Sequence, residues 1–456
     1  MTVINPNVFR QYDIRGVVGK EIDEDFAKTL GLAFGTFSLQ QGETKVIVGS
    51  DNRISSPSLK KALTDGLLST GCNVIDLGTV ITPIFYYSRI LYDINPGIIV
   101  TASHNPAQFN GFKIGFGPGT IYGEQIQELK AMMEKNEFAS GSGNLFYKDP
   151  TQNYIDMICK KIKLDKKLRV GIDCGNGTAS LFAPELFEKL GVDVYPIYCD
   201  SDPSFPNHFP DPVKPENLLD LKNLVLDKNL DVGVGFDGDG DRIGVVDDKG
   251  NIIFGDMLMI LFWREILPKY PGTTCIVEVK CSQALYEEIE KLGGKPMFFK
   301  TGHSLIKAKM REIDAVFTGE MSGHMFFADE YYGFDDALYA AARLFRILSK
   351  TDKKLSELLS DVPKYYSTPE IRVACPDDEK LEKVESVKKY FRDKLPMIEV
   401  DGARVIFPEG WGLVRCSNTG PELIVRCESK TKHGLEKIKN EINKALSPLN
   451  IFEETK

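Results

Sequence analysis

The chain has 456 residues, 42% of them apolar and 27% charged, which is ample for several packed cores and places it at about three domains on length alone. Its 56 Lys and Arg against 65 Asp and Glu leave a formal charge of -9, which argues against a general nucleic-acid or polyanion-binding role and confines any basic patch to a local site. Nine scattered cysteines with no C-x-x-C pair argue against a disulfide framework or a zinc knuckle, and the longest wholly apolar run, MLMILFW at 257–263, is far short of a membrane span.

In chain order, the opening MTVINPNVFRQYDIRG has no basic segment followed by an apolar one, so the expected compartment is the cytoplasm. Three later stretches repeat one pattern: apolar strand, small-residue loop, amphipathic helix, glycine, second strand. They are KVIVGSDNRISSPSLKKALTDGLLSTGCNVIDLG from Lys45, LRVGIDCGNGTASLFAPELFEKLGVDVYPIY from Leu168 and CIVEVKCSQALYEEIEKLGGKPMFF from Cys275. Continuous apolar strands followed by helical periodicity predict βαβ units in parallel sheets. The strand-to-glycine spacing differs among the copies (Lys45 to Gly71, Leu168 to Gly191, Cys275 to Gly293), which predicts diverged domains in series and not a solenoid.

The tail is ordered differently. STPEIRVACP reads as extended, DDEKLEKVESVKKYFRDKL as helical, ARVIFPEGWGLVRCS and PELIVRCES as extended, and LEKIKNEINKAL as helical. The expected fold is therefore α/β: three tandem α/β domains with mixed, mostly parallel sheets plus a small C-terminal α+β domain. Turn-rich seams near Gly141-Ser142-Gly143, Lys249-Gly250 and Val362-Pro363 divide the chain into 1–148, 149–250, 251–363 and 364–456.

The segment DVGVGFDGDGDRIGVVDD at 231–248 carries the sharpest chemistry. Gly233, Gly235 and Gly238 match G-x-G-x-x-G, but Asp237, Asp239 and Asp241 crowd the turn where a pyrophosphate needs positive potential. An EF-hand counted from Asp237 has Arg242 at its sixth position and Asp248 at its twelfth, where Gly and Glu belong. What remains is three carboxylates on a tight glycine turn between two apolar strands. They repel one another unless a hard divalent cation, most simply Mg²⁺, joins them. Arg242 is either a further positive partner or a clamp on the loop.

TASHNP at 101–106 first reads as a hydrolase loop, because Ser103 precedes His104. The nucleophile elbow G-x-S-x-G is absent, and sequence adjacency gives His104 no triad geometry. A phosphorylated Ser103 fits better: it would bring about two negative charges and three oxygens to a metal at the aspartate turn.

TASHNP, DGDGDR, GEMSGH at 319–324 and RCSNTGPE at 415–422, in this order and at these separations, closely resemble the α-D-phosphohexomutases, in particular the phosphomannomutase/phosphoglucomutase branch. FRQYDIRG and TGHSLIK at 301–307 resemble the same branch, so the similarity covers essentially the whole chain. It implies four domains around a central cleft, with a phosphoserine at Ser103 and Mg²⁺ held by that phosphate with Asp237, Asp239 and Asp241. It also implies catalytic roles for Arg15, Lys113, Arg242 and His324, and substrate contacts for Tyr12, Lys280 and His303. Arg15, Lys113 and Lys280 are read as cations at or near strand ends. In GEMSGH, Glu320 can accept from two sugar hydroxyls and Ser322 adds a small donor and acceptor. Met321 resembles the hexose-handling branch, whereas Gln there resembles phosphoglucosamine mutases. Arg415, Ser417, Asn418 and Thr419 offer a fork, two hydroxyls and an amide suited to a phosphate dianion, on what is also a plain hairpin turn.

The expected activity is a reversible phosphoryl shift between O1 and O6 of mannose and glucose phosphates through a bound hexose 1,6-bisphosphate. Lys113 or His324 is the expected general base. The expected partners are small hexose phosphates, with neither nucleic acid nor membrane. The alternatives are a phosphoglucosamine mutase, a phosphatase that passes the phosphoserine group to water, and a non-catalytic sugar-phosphate sensor.

Overall fold

The computed structural model describes residues 5–418, 420–447, 449, 451 and 452. Packing divides the chain into two compact units, one of residues up to 262 with 322–359, the other of 263–321 with 360 onward.

The first unit contains two mixed sheets. One has the strand order Ile14–Val17, Phe109–Phe116, Gly97–Val100, Lys45–Ser50, Asn73–Thr79, Leu145–Tyr147, with Gly119–Thr120 added to Phe109–Phe116. Its last four strands run parallel, whereas Phe109–Phe116 is antiparallel to both of its neighbours. Helices Glu24–Gln40 and Ser56–Thr70 pack together, and Leu30, Phe34, Leu63 and Leu67 are fully buried with Val46, Val48 and Ile98. Burial of each such side chain contributes about 1.5–3 kcal/mol. The second sheet has the order Ile252–Ile253, Ile243–Asp247, Val232–Phe236, Arg169–Asp173, Asp193–Ile197. Helix Ala337–Ser349, capped by the Asp336 side chain accepting from Tyr339 N, packs on this sheet.

The second unit holds the parallel pair Thr274–Glu278 and Lys295–Phe299, joined by helix Gln283–Lys291. Its tail forms an antiparallel sheet in the order Tyr366–Ser367, Glu422–Ser429, Gly410–Cys416, Ala403–Phe407, Met397–Ile398, with Ile371–Ala374 also on Glu422–Ser429. Helices Lys380–Phe391 and Lys432–Ala445 bury Val384, Val387, Ile438 and Ile442 in the tail's own core.

The three repeats appear as strand, helix, strand, and each turns at its glycine: Gly71, Gly191 and Gly293 have φ of 101°, 89° and 81°. That left-handed backbone costs glycine nothing, whereas a Cβ there meets the following carbonyl. Among the described residues no helix is long and apolar enough to cross a membrane.

Candidate active site

Strand Gly97–Val100 is wholly buried and Phe109–Phe116 returns antiparallel to it, so TASHNP lies in the connecting loop. Ser103 is buried and has φ of +52°, the left-handed region that side chains other than glycine seldom adopt. Arg53 holds this backbone in place. Its Nη2 donates to Ser103 O at 2.8 Å and Asn105 O at 2.6 Å, and its Nη1 to Pro106 O at 2.8 Å and Phe109 O at 3.1 Å. Asp51 pairs with the Arg53 Nε at 3.2 Å.

The aspartate turn forms because Val232–Phe236 and Ile243–Asp247 pair antiparallel with Phe236 opposite Ile243. Asp237, Asp239 and Asp241 are fully buried. The turn closes through Asp237 Oδ1, which accepts from Asp241 N at 3.0 Å and Arg242 N at 3.1 Å. The two loops meet here: Ser103 Oγ donates to Asp237 Oδ2 at 2.6 Å. Gly238 permits the approach, since a Cβ at that position would lie 2.4 Å from Ser103 O. Gly238→Ala is therefore expected to separate the loops, lowering stability by about 1–3 kcal/mol and turnover by about 100-fold, to be read from thermal melting and kcat.

The charge is unevenly shared. Lys113 donates to Asp239 Oδ2 at 2.6 Å and to Asp241 Oδ2, and Thr82 and Thr101 hydroxyls donate to the same Asp239 oxygen at 2.6 and 3.2 Å. Burial alone would lower the Lys113 pKa, but Asp239, Asp241, Asp335 and Asp237 outweigh it and raise it. Burial pushes Asp237 well up, with Asp241 and Asp239 adding to the effect. Asp241 is also raised by burial, but Lys113 and His324 overcome this and hold it well below the usual range. Asp239 Oδ1, by contrast, is buried with no hydrogen-bond partner among the described residues. Oxygens of the three carboxylates lie within 4.8 Å of one another. Three clustered carboxylates, one of them forced toward its neutral form and one with an orphaned oxygen, are a donor set that fits a hard divalent cation.

Around this centre the structure brings together Arg15, Lys113, Arg242 and His324. Arg15 donates to Asn105 Oδ1 and Asp13 Oδ2, both at 2.6 Å, and Tyr12 is half-buried just before the same strand. His324 Nε2 lies 3.1 Å from Asp241 Oδ1 and accepts from Arg242 Nε at 3.2 Å. Arg242 thus clamps the turn through its backbone and reaches His324 through its side chain. Lys113 differs from the sequence expectation in position: it lies inside strand Phe109–Phe116, opposite Ile99, and not at an end. A buried mid-strand ammonium is tolerable because two carboxylates neutralise it.

The remaining expected residues belong to the second unit, apart from Ser322, which is half-buried in the first. GEMSGH passes from one unit to the other. Lys280 follows strand Thr274–Glu278 with Val279 between them and donates to Glu370 Oε2 at 2.9 Å. Glu320 Oε1 accepts from Gly302 N at 2.8 Å, beside His303, the buried first residue of helix His303–Glu312. Burial would lower Lys280, yet Glu278, Glu370 and Glu320 raise it. The hairpin reading of RCSNTGPE holds, with Cys416 opposite Leu423. Arg415 Nε donates to Asp401 Oδ2 at 2.8 Å, Ser417 Oγ accepts from Gly420 N at 3.2 Å, and Asn418 Nδ2 donates to Thr301 O at 3.1 Å. Thr419 lies outside the described residues.

Sequence reasoning missed Arg53, Thr82, Glu278, Asp401 and Lys380. Glu278 is fully buried and accepts from the Thr301 hydroxyl; burial pushes its carboxyl up, with Lys280 opposing and Glu320 adding. Lys380 supports the hairpin from below, donating to Ser417 O at 2.9 Å and Gly420 O at 3.0 Å. The usable signal was position: Arg53 and Glu278 each sit at or just beyond the C-terminal end of a buried strand, where α/β sheets place their sites.

The chain matches the family described as phosphoglucomutase/phosphomannomutase in all four of its parts: alpha/beta/alpha domain I over residues 6–140, domain II over 152–250, domain III over 254–366 and the C-terminal domain over 370–445. It belongs to the phosphoglucomutase/phosphomannomutase family. It is 46% identical over 434 residues to a phosphomannomutase/phosphoglucomutase of Pseudomonas aeruginosa strain PAO1, covering 95% of this chain and 94% of the relative. A phosphoglucomutase of Neisseria meningitidis serogroup A is 41% identical, with 97% of each chain covered. Among solved structures, a phosphoglucomutase/phosphomannomutase family protein of Burkholderia thailandensis is 41% identical and superposes with a TM-score of 0.91, covering 97% of this chain and 98% of that one.

Proposed function

We propose that this protein is an isomerase that moves a phosphoryl group reversibly between O1 and O6 of hexose phosphates, those of mannose and glucose. The observation that carries the reading is the 2.6 Å contact between Ser103 Oγ and Asp237 Oδ2, which seats a hydroxyl on a buried carboxylate triad. Asp237, Asp239, Asp241 and the Ser103 phosphate would hold a Mg²⁺, which would supply charge neutralisation for the transferring group. In this reading the four domains are the segments 1–148, 149–250, 251–363 and 364–456.

Ser103 carries the phosphoryl group and gives it to the free sugar hydroxyl, so that the bond from phosphorus to the serine oxygen breaks as that to the sugar oxygen forms. Arg15, Lys113 and Arg242 meet the developing charge on the phosphoryl oxygens. His324 takes the proton of the attacking hydroxyl, because Lys113, whose pKa burial would lower but Asp239 and Asp241 raise, stays charged and is not the base that the sequence also allowed. The resulting hexose 1,6-bisphosphate reverses end for end, and its other phosphate returns to Ser103, so no phosphate is consumed. Tyr12, Lys280, His303, Glu320 and Ser322 recognise the sugar, while Arg415, Ser417, Asn418 and Thr419 hold the distal phosphate.

The test is an assay of mannose 1-phosphate and glucose 1-phosphate side by side, with Mg²⁺ and trace hexose 1,6-bisphosphate. Both are expected to yield the 6-phosphate without inorganic phosphate; phosphate released in step with substrate loss would instead make the protein a phosphatase. Chelation is expected to abolish turnover and to lower the melting temperature, because Asp237, Asp239 and Asp241 again repel one another. Restoring Mg²⁺ should reverse both effects, and a melting temperature unmoved by chelator would count against the metal.

A further inference from the structure

Cys174 and Cys199 take no part in the chemistry described above. Cys174 immediately follows strand Arg169–Asp173, and Cys199 follows Asp193–Ile197 by one residue beyond Tyr198. The strands are parallel with Asp173 opposite Ile197, so the two thiols meet just past the end of the sheet. Their Sγ atoms are 3.4 Å apart, and both cysteines are free. Cys174 is fully buried, and burial pushes its thiol well up. Cys199 is half-buried and donates to Ile197 O at 3.2 Å.

The residues after Cys174 are tied to the aspartate turn. Gly175 and Asn176 both have left-handed backbone, with φ of 48° and 58°. Asn176 N donates to Tyr198 O at 2.8 Å, and Thr178 N donates to Gly238 O at 2.9 Å. A Cβ on Gly177 would lie 3.0 Å from Gly238 Cα, so this loop and the turn are in direct contact. A movement of Cys174 has little slack to absorb it before it reaches Gly238.

We propose that Cys174 and Cys199 form an oxidisable pair that hydrogen peroxide converts to a disulfide, and that the disulfide lowers activity reversibly by displacing residues 174–178 from the aspartate turn. Cys199, the less buried of the two, reacts first. Its sulfur takes one peroxide oxygen, the O–O bond breaks, and the departing hydroxide leaves as water with the thiol proton. The Cys174 sulfur then attacks the Cys199 sulfenic sulfur; the S–O bond breaks, the S–S bond forms, and a second water carries away the Cys174 proton. The two sulfurs lose the two electrons that the peroxide gains. A disulfide needs a separation of about 2.05 Å, so the sulfurs must close by more than 1 Å from their present 3.4 Å.

The experiment treats the reduced full-length protein with hydrogen peroxide, alkylates remaining thiols after denaturation, and maps the peptides by mass spectrometry alongside turnover. The expected result is a Cys174–Cys199 cross-linked peptide two hydrogens lighter, with turnover reduced about tenfold and both changes reversed by dithiothreitol. Cys199→Ser should keep the activity of the reduced protein and resist peroxide. The proposal is overturned if the two cysteines remain unlinked, if they link without a change in turnover, or if Cys199→Ser is inactivated as readily as the parent. The mass map stands apart from the identity of the substrate, so it decides the cross-link even should the sugar phosphates prove to be the wrong substrates.

Discussion

Ser103→Ala is expected to lower kcat by about four orders of magnitude or more while hexose phosphate binding stays measurable. The hydroxyl donates to Asp237 at 2.6 Å, whereas the Thr82 and Thr101 hydroxyls donate to the Asp239 oxygen that Lys113 already holds. Its neighbour His104 lies 3.3 Å from it through Nδ1. The groups expected to bind substrate are on other segments, so calorimetric affinity for glucose 6-phosphate should change little. Turnover within about tenfold of the parent would mean that Ser103 does not carry the group.

The second large effect is expected at Arg53. Arg53 is 2% exposed, and its guanidinium donates to the carbonyls of residues 103, 105, 106 and 109 at once. Arg53→Met would take this donor from all four carbonyls, leaving Pro106 O with only Phe109 N among the described residues, and strip Asp51 of its counter-charge, at about 3–5 kcal/mol of stability. The left-handed Ser103 would lose its support, and kcat should fall by about 100-fold. Arg53→Lys separates position from charge, because an ammonium restores the charge beside Asp51 but cannot span four carbonyls in a plane. It should recover much of the melting temperature and little of kcat, with KM unchanged. Full recovery of kcat by Lys would show that Arg53 acts only through stability.

The aspartate turn was legible because its chemistry is contiguous. Three carboxylates within five residues, spaced by glycines and flanked by two apolar strands, leave few conformations and one plausible class of ligand. The repeats were legible for a similar reason: each turns at a glycine whose backbone is left-handed, and that constraint is written in a single residue. TASHNP was half legible. The absent glycine flanks argued against a hydrolase elbow, but nothing local revealed a left-handed serine.

Partnership at long separation was not legible. Thr82 meets Asp239 across 157 positions, Lys113 meets Asp241 across 128, and Arg53 reaches Ser103 across 50. Along the chain, Arg53 is one more cation after a strand, and an arginine in that setting is more often solvated than buried. Contiguous patterns act through local backbone sterics and hydrophobic periodicity, which hold before any domain forms. The worth of Arg53, Thr82 and Glu278 comes from desolvated contacts that exist only once remote strands have packed, and their identity as site residues arises with that packing.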